Sequence, residues 1–163
     1  MSRYIFKNTD PSNGVTKIFG ILFLAVLCGL FFYSKFYFHT TVTLGNEQFD
    51  ARIADTATRR EKGLSGTEHL GKNEAMLFTF PTATQQSFWM VDMHYAIDII
   101  WLRDGKIVDI ASRVPPPDTG TFPVDLPIYT PRLPSDAVVE VVAGTADRLG
   151  ITIGDSVQIG SKN

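Results

Sequence analysis

A chain of 163 residues has room for one ordinary domain and a short appendage, and with 44% hydrophobic and 20% charged residues it belongs with folded proteins rather than disordered ones. The net charge of −2 hides an asymmetry: residues 1–39 carry Arg3, Lys7, Lys17 and Lys35 against Asp10 alone, which leaves eleven basic against sixteen acidic residues in the remainder. That acidic remainder lacks the Lys/Arg footprint that phosphate backbones demand, so nucleic acid is not an expected partner, and a lone cysteine, Cys28, excludes an intrachain disulfide and a thiolate metal cluster.

Residues 18–38 form an apolar, aromatic run long enough for the about 20 helical residues that cross a hydrocarbon core. Lys35 can snorkel to the interface, and Tyr33, Phe36, Tyr37 and Phe38 supply an aromatic belt. A cleaved signal peptide would end in an Ala-x-Ala-like site, which the stretch from Ser34 to Val42 does not offer, and Leu27 stands where a lipobox wants a small residue before Cys28. A retained single-pass anchor is therefore expected. Arg3, Lys7, Lys17 and the terminal amine precede the span, so the positive-inside bias puts residues 1–17 in the cytoplasm and the domain from residue 40 to 163 outside it, in the periplasm of a cell with two membranes.

In the domain, Thr40 to Leu44, Gly45-Asn46 and Glu47 to Ala54 read as a β-hairpin with Val42, Leu44, Phe49, Ala51 and Ile53 alternating inward. Asp55-Thr56 caps a short helix through Lys62 that Gly63 stops. Glu74 to Phe80 is the next expected strand, closed by Pro81. Phe88, Trp89 and Met90 form a β-favouring aromatic run before a corner, after which Ile97 to Arg103 and Lys106 to Val114 flank the hairpin signal Asp104-Gly105. From Pro115 to Pro134 prolines and weak periodicity predict a stiff surface loop, a lid or wall tucked down by Phe122, Leu126, Ile128 and Tyr129. Ala137 to Ala143 reads as a strand, Thr145 to Leu149 as a helical turn, and Ile151 to Ile159 as a last hairpin around Gly154-Asp155. The expected fold is mainly β, a compact barrel- or sandwich-like domain around one core with one or two short helices, preceded by one transmembrane helix.

Arg59 with Gly63-Leu64-Ser65, the run Met76 to Phe80, Phe88-Trp89-Met90, Ile97-Asp98-Ile99-Ile100, Asp104-Gly105, Val138 to Gly144 and Gly154-Asp155 together resemble the family of domains of unknown function numbered 192, over nearly all of residues 45–160. The resemblance implies a compact, largely β domain, often exported or membrane-tethered, with no established activity. Arg59, Trp89, Met90 and Asp98 match the family pattern. The corner Val91 to Ala96 departs from the family's polar run and proline, and Ala75 stands where glycine is frequent.

Asp98, amid Ile97, Ile99 and Ile100, is the most conspicuous residue, because a buried carboxylate persists only if paired or protonated. It is expected either to form an ion pair with Arg59 or Arg60 or to act as a pocket base. Arg59-Arg60 reads as an anion clamp or as a solvated helix face. Met90, Met93 and His94 suggest soft ligands for copper, against the plainer reading of core methionines and a solvated histidine. No Gly-x-Ser-x-Gly elbow, Ser-x-x-Lys pair or domain cysteine supports a hydrolase, leaving Asp98 with Arg59 as the alternative enzymatic pair. The leading expectation is a binding or accessory module at the cell envelope, with no cofactor. Its candidate site, Arg59, Trp89, Met90 and Asp98, would take a small molecule, glycan or protein ligand.

Overall fold

The computed structural model describes residues 12–37 and 39–160, the side chains of the N-terminal helix being described over 17–29. The helix α1 (Ser12–Tyr37) takes in residues 18–37 of the apolar run and forms a unit distinct from the domain that follows Tyr37. Its described side chains, including Phe19, Leu22, Phe23 and Leu24, are exposed. Among the described residues no helix is long and apolar enough to cross a membrane. Arg3 and Lys7 lie outside the described residues, as do Phe38 and the side chains of Tyr33, Lys35, Phe36 and Tyr37, so the expected basic flank lies partly, and the aromatic belt wholly, beyond them.

The domain is built on a single seven-stranded sheet, ordered β5-β4-β6-β3-β2-β1-β7, rather than on two stacked sheets. Its strands are β1 (His39–Leu44), β2 (Glu47–Ala54), β3 (Glu74–Thr84), β4 (Ile97–Arg103), β5 (Lys106–Val114), β6 (Ser135–Val142) and β7 (Gln158–Ile159). Only β2 and β3 run parallel, and between them lies α2 (Ala57–Lys62), the crossover element such a pairing requires. The two clearest hairpins form where turn chemistry demands: Asp104 and Gly105 both adopt positive φ, 50° and 71°, the left-handed pair whose twist matches the strands it joins.

The segment 154–160 curls the sheet into a half-barrel. Its first part bonds to the β5 edge, Ile107 N–H donating to Asp155 O at 2.9 Å and Val157 N–H to Gly105 O at 2.8 Å. Its second part pairs with β1, Val42 opposite Ile159 and Thr43 opposite Gln158. The last hairpin expected around Gly154-Asp155 is thus replaced by a strap serving both edges, because Ile151 and Val157 are drawn into the core instead of facing one another across a ladder.

Alternation along each strand divides the apolar side chains between two clusters, one on each face, where a single core was expected. Val42, Leu44, Phe49, Leu77, Ile100, Leu102 and Val139 form one, with Ala146 of α3 (Thr145–Leu149) and Val157 of the strap. Met76, Phe78, Ile97, Ile99, Trp101 and Val138 form the other, roofed by Leu64, Leu70, Met90 and Met93 from the connecting loops. Full burial of side chains this large contributes about 1.5–3 kcal/mol each, so the roofing loops are fixed parts of the fold rather than loose connections.

Three further expectations are corrected. Strand β3 runs past Pro81 to Thr84, because the ladder to β6 shifts register between Thr79 and Thr84 and the missing proline N–H falls within that irregularity. Phe88-Trp89-Met90 is no strand. One bridge, Phe88 to Tyr129 with N···O distances of 2.9 and 2.8 Å, is its whole ladder, and Phe88 packs edge-on against Phe78 at 4.9 Å and Trp101 at 6.2 Å. The proline-rich loop, which contains a 3-10 turn at Pro123–Asp125, is held by Leu126, Tyr129 and the ion pair of Arg132 with the nearly buried Asp109. Phe122 and Ile128, expected to tuck it down, are 70% and 68% exposed.

Candidate functional site

On β6 the period of two sets Glu140 on the same face as Val138, opposite Met76 of β3 and Ile99 of β4. A carboxyl in that row has hydrocarbon on either side, and the residue is 5% exposed. No hydrogen bond from the side chain or backbone of a described residue reaches its carboxyl oxygens, the Glu140 backbone being paired in the sheet. Burial pushes its pKa from 4.5 up to about 8, with the positive charge of Arg52 opposing the rise. Arg52 sits in the same cross-strand row, facing Met76 from β2, one strand further from Glu140.

Although nearly buried, Glu140 lines, together with Phe78, a cleft of about 40 Å³. One wall is the loop Phe88, Trp89, Met90 and Met93; the other is the end of α2 and its turn, from Arg60 to Ser65. The walls are tied together by two hydrogen bonds, Ser65 Oγ to Val91 O at 2.8 Å and Gly66 N–H to Asp92 O at 2.7 Å. Gly63 ends α2 at φ 45°, and a Cβ there would lie 3.2 Å from Phe78 Cζ, so glycine lets the turn close down on the ring. Met90 also borders a second hollow, of about 290 Å³, walled by Pro115 to Asp118, Leu126 and Tyr129.

The residues singled out in the sequence are not gathered into one site. Trp89, 51% exposed, and Met90, buried, line the Glu140 cleft, and Arg60 does so in place of Arg59. Arg59 Nη1 donates to Asp55 Oδ1 at 2.7 Å, within its own helix turn. Arg60 donates to the carbonyls of Asp55 and Thr79, both at 2.9 Å, and covers the Phe80 ring at 5.2 Å. Arg60 therefore ties α2 to the sheet, and Arg59 pairs with Asp55 at the start of the helix, where an anion clamp was one expectation.

Asp98 is fully buried, but its partners are backbone amides and not the guanidinium expected. Oδ1 accepts from Arg113 N–H at 2.7 Å and Gly144 N–H at 3.0 Å, and Oδ2 from Ala146 N–H at 2.8 Å. Opposite it β5 bulges, with Ile97 paired to Val114 and Ile99 to Ala111, and Arg113 takes φ 54°. Asp98 thus holds the bulge and the first turn of α3 through three backbone amides. Met90 and Met93 belong to the apolar cluster, while His94 points outward, 4.0 Å from Asp92. Among the described residues no group of three or more His, Cys, Asp or Glu gathers as metal ligands would.

Glu140 escaped the reading of the sequence, although the argument applied to Asp98 applies equally to it. A carboxylate between Val138-Val139 and Val141-Val142 carries the same signal of a charge in a strand covered on both faces.

The family model for domain of unknown function 192, described as an uncharacterised conserved region, matches residues 40–159. Two crystal structures resemble the chain. One is a protein of unknown function from Novosphingobium aromaticivorans, 31% identical, with a TM-score of 0.65 over 74% of this chain and 83% of that one. The other, from Sinorhizobium meliloti and described as a candidate transcription regulator, is 26% identical, with a TM-score of 0.66 over 76% of this chain and 95% of that one. No curated protein sequence matches the chain.

Proposed function

We propose that this chain, which belongs to the family of domains of unknown function 192, is a membrane-tethered binding module whose ligand enters the cleft over Glu140. The observation that carries the reading is a carboxyl buried in the lining of an aromatic cleft with no hydrogen-bond or ion-pair partner among the described residues, in a position where a valine would serve the sheet better. A strongly perturbed acid lining a cleft, kept at a cost in stability, is the signature of a candidate functional position. The alternative of hydrolysis by Asp98 with Arg59 has no geometric support, since three backbone amides occupy the carboxylate and Arg59 turns to Asp55.

The tether rests on the apolar run 18–38, which lies in the helix Ser12–Tyr37 save its last residue, and on the basic residues before it. This gives a domain on the other side of the membrane from the N-terminus, an accessory module of a cell envelope. The description of the Sinorhizobium protein as a regulator of transcription is not carried over, because the residues beyond 39 are acidic in balance.

Two experiments test the proposal. A thermal-shift screen of small polar metabolites on the full chain in detergent should find compounds that stabilise the wild type and not Glu140→Gln. A ligand at 100 times its Kd stabilises by about 2.7 kcal/mol, well within detection. Equal stabilisation of both proteins by every hit would remove the cleft from the reading. For the tether, extraction of cell membranes with alkaline carbonate should leave the chain in the pellet, and release into the supernatant would overturn it.

A further inference from the structure

The proposed binding role leaves open what the cleft selects, and the chemistry of its lining answers that. A buried carboxyl is stable when protonated, or when a cation lies against it. Among the described residues none lays such a cation against Glu140. Arg52 stands two strands away and acts only through its field, without an ion pair. The other charged groups facing the cleft come from α2 and from the loop. Arg60 is engaged with two carbonyls and the Phe80 ring, and Lys62 and Asp92 end together beside Gly66. Glu61 adds a negative charge at the rim, and His94 lies on the loop beyond Met93. Inside, the walls are the rings of Phe78, Phe88 and Trp89 and the thioethers of Met90 and Met93. Aromatic faces attract cations and repel anions. A space of about 40 Å³ admits a slender head group and not a sugar ring or a purine.

We infer that the cleft takes a primary alkylammonium group, seated against the Glu140 carboxylate and walled by Phe88 and Trp89. The ammonium enters carrying its own proton, and the Glu140 carboxyl gives up the one it holds to solvent. Binding therefore releases one proton for each ligand bound below the pH at which Glu140 ionises by itself, and the affinity rises about tenfold per pH unit in that range.

This inference rests on the binding role of the cleft, and the experiment separates the two. The full chain in detergent micelles is titrated calorimetrically with n-butylammonium, n-butanol and butyrate at pH 6 and pH 7, each in two buffers of different ionisation enthalpy. The expected result is binding of butylammonium alone, about tenfold tighter at pH 7, with close to one proton released. Glu140→Gln should abolish it, Met90→Phe should weaken it at least tenfold by filling the cleft, and His94→Gln should leave the pH slope unchanged. Parallel titration with Nα-acetyl-lysine methylamide distinguishes the sources of the group. Binding as tight as butylammonium supports a protein side chain, and weaker binding supports a free amine. Binding of butanol or butyrate without butylammonium would overturn the cation and leave the cleft a binding site. Silence from all three probes would remove both, and retention of butylammonium by Glu140→Gln would overturn the seat assigned to it.

Discussion

Replacing Glu140 by glutamine should make the domain more stable at neutral pH, and by an amount that depends on pH in a defined way. The carboxyl moves from 4.5 to about 8 on folding, because burial penalises its charged form more than Arg52 favours it. Below pH 4.5 both folded and unfolded chains hold the proton and the group makes no pH-dependent contribution. Above it the unfolded chain releases a proton that the folded chain retains, so folding becomes harder by about 1.4 kcal/mol per pH unit until the folded group also ionises. The accumulated loss is about 3 kcal/mol at pH 7 and about 5 kcal/mol above the folded pKa. The residue is nearly sealed from solvent, so no screening discount applies. Glutamine has nearly the same shape and no titration, and any constant penalty for its amide is the same at every pH. Urea denaturation followed by Trp101 fluorescence at pH 4.5, 5.5, 7 and 8.5 measures the difference between the two proteins, and titrations common to both cancel. A difference that stays constant across that range would refute the assignment of Glu140 as a buried, unpartnered acid.

Asp98→Ala leaves the N–H groups of Arg113, Gly144 and Ala146 without their acceptor in a buried setting, and should cost at least ~3 kcal/mol in equilibrium denaturation at pH 7. A loss under half a kcal/mol would show the three bonds to be dispensable. Asp109→Asn removes the charge that Arg132 grips through its backbone N–H and its guanidinium, and should loosen the proline-rich loop for about 1–2 kcal/mol. Limited proteolysis within residues 115–134 should accelerate accordingly. Arg132 hydrogen bonds hold the Asp109 carboxyl below its usual range, so this contribution is present at neutral pH and is lost as pH falls below about 4, a trend the variant should lack. Trp101→Ala should cost about 3–5 kcal/mol, and Trp89→Ala well under 1 kcal/mol because half its surface already faces water. Equal losses at the two positions would contradict their assigned burial.

Much of the strand order along the chain was legible because turn residues and alternation agree. Gly45-Asn46 and Asp104-Gly105 fix two hairpins, and Val42, Leu44, Phe49 and Ala51 alternate as a one-sided strand should. Legibility fails where packing rather than periodicity decides. Phe88 looks like strand material, yet it is spent on the rings of Phe78 and Trp101, contacts distant in sequence that no local pattern announces. In β6 both faces are covered, so Val138, Val139, Val141 and Val142 erase the alternation and Glu140 is lost among them. Asp98 was rightly suspected of burial. Its partners were missed because backbone amides donated by a bulge and a helix turn leave no mark in the side-chain sequence.

The strap at residues 154–160 carries an implication for self-association. It covers β5 with its first part and β1 with its second, at opposite borders of the sheet, so removing residues 154–160 would bare two unlike templates on the same molecule. Two different open borders on one subunit permit head-to-tail joining, which has no geometric reason to stop at a pair. Molecules that have lost the strap would therefore be expected to join edge to edge as open chains rather than closed pairs.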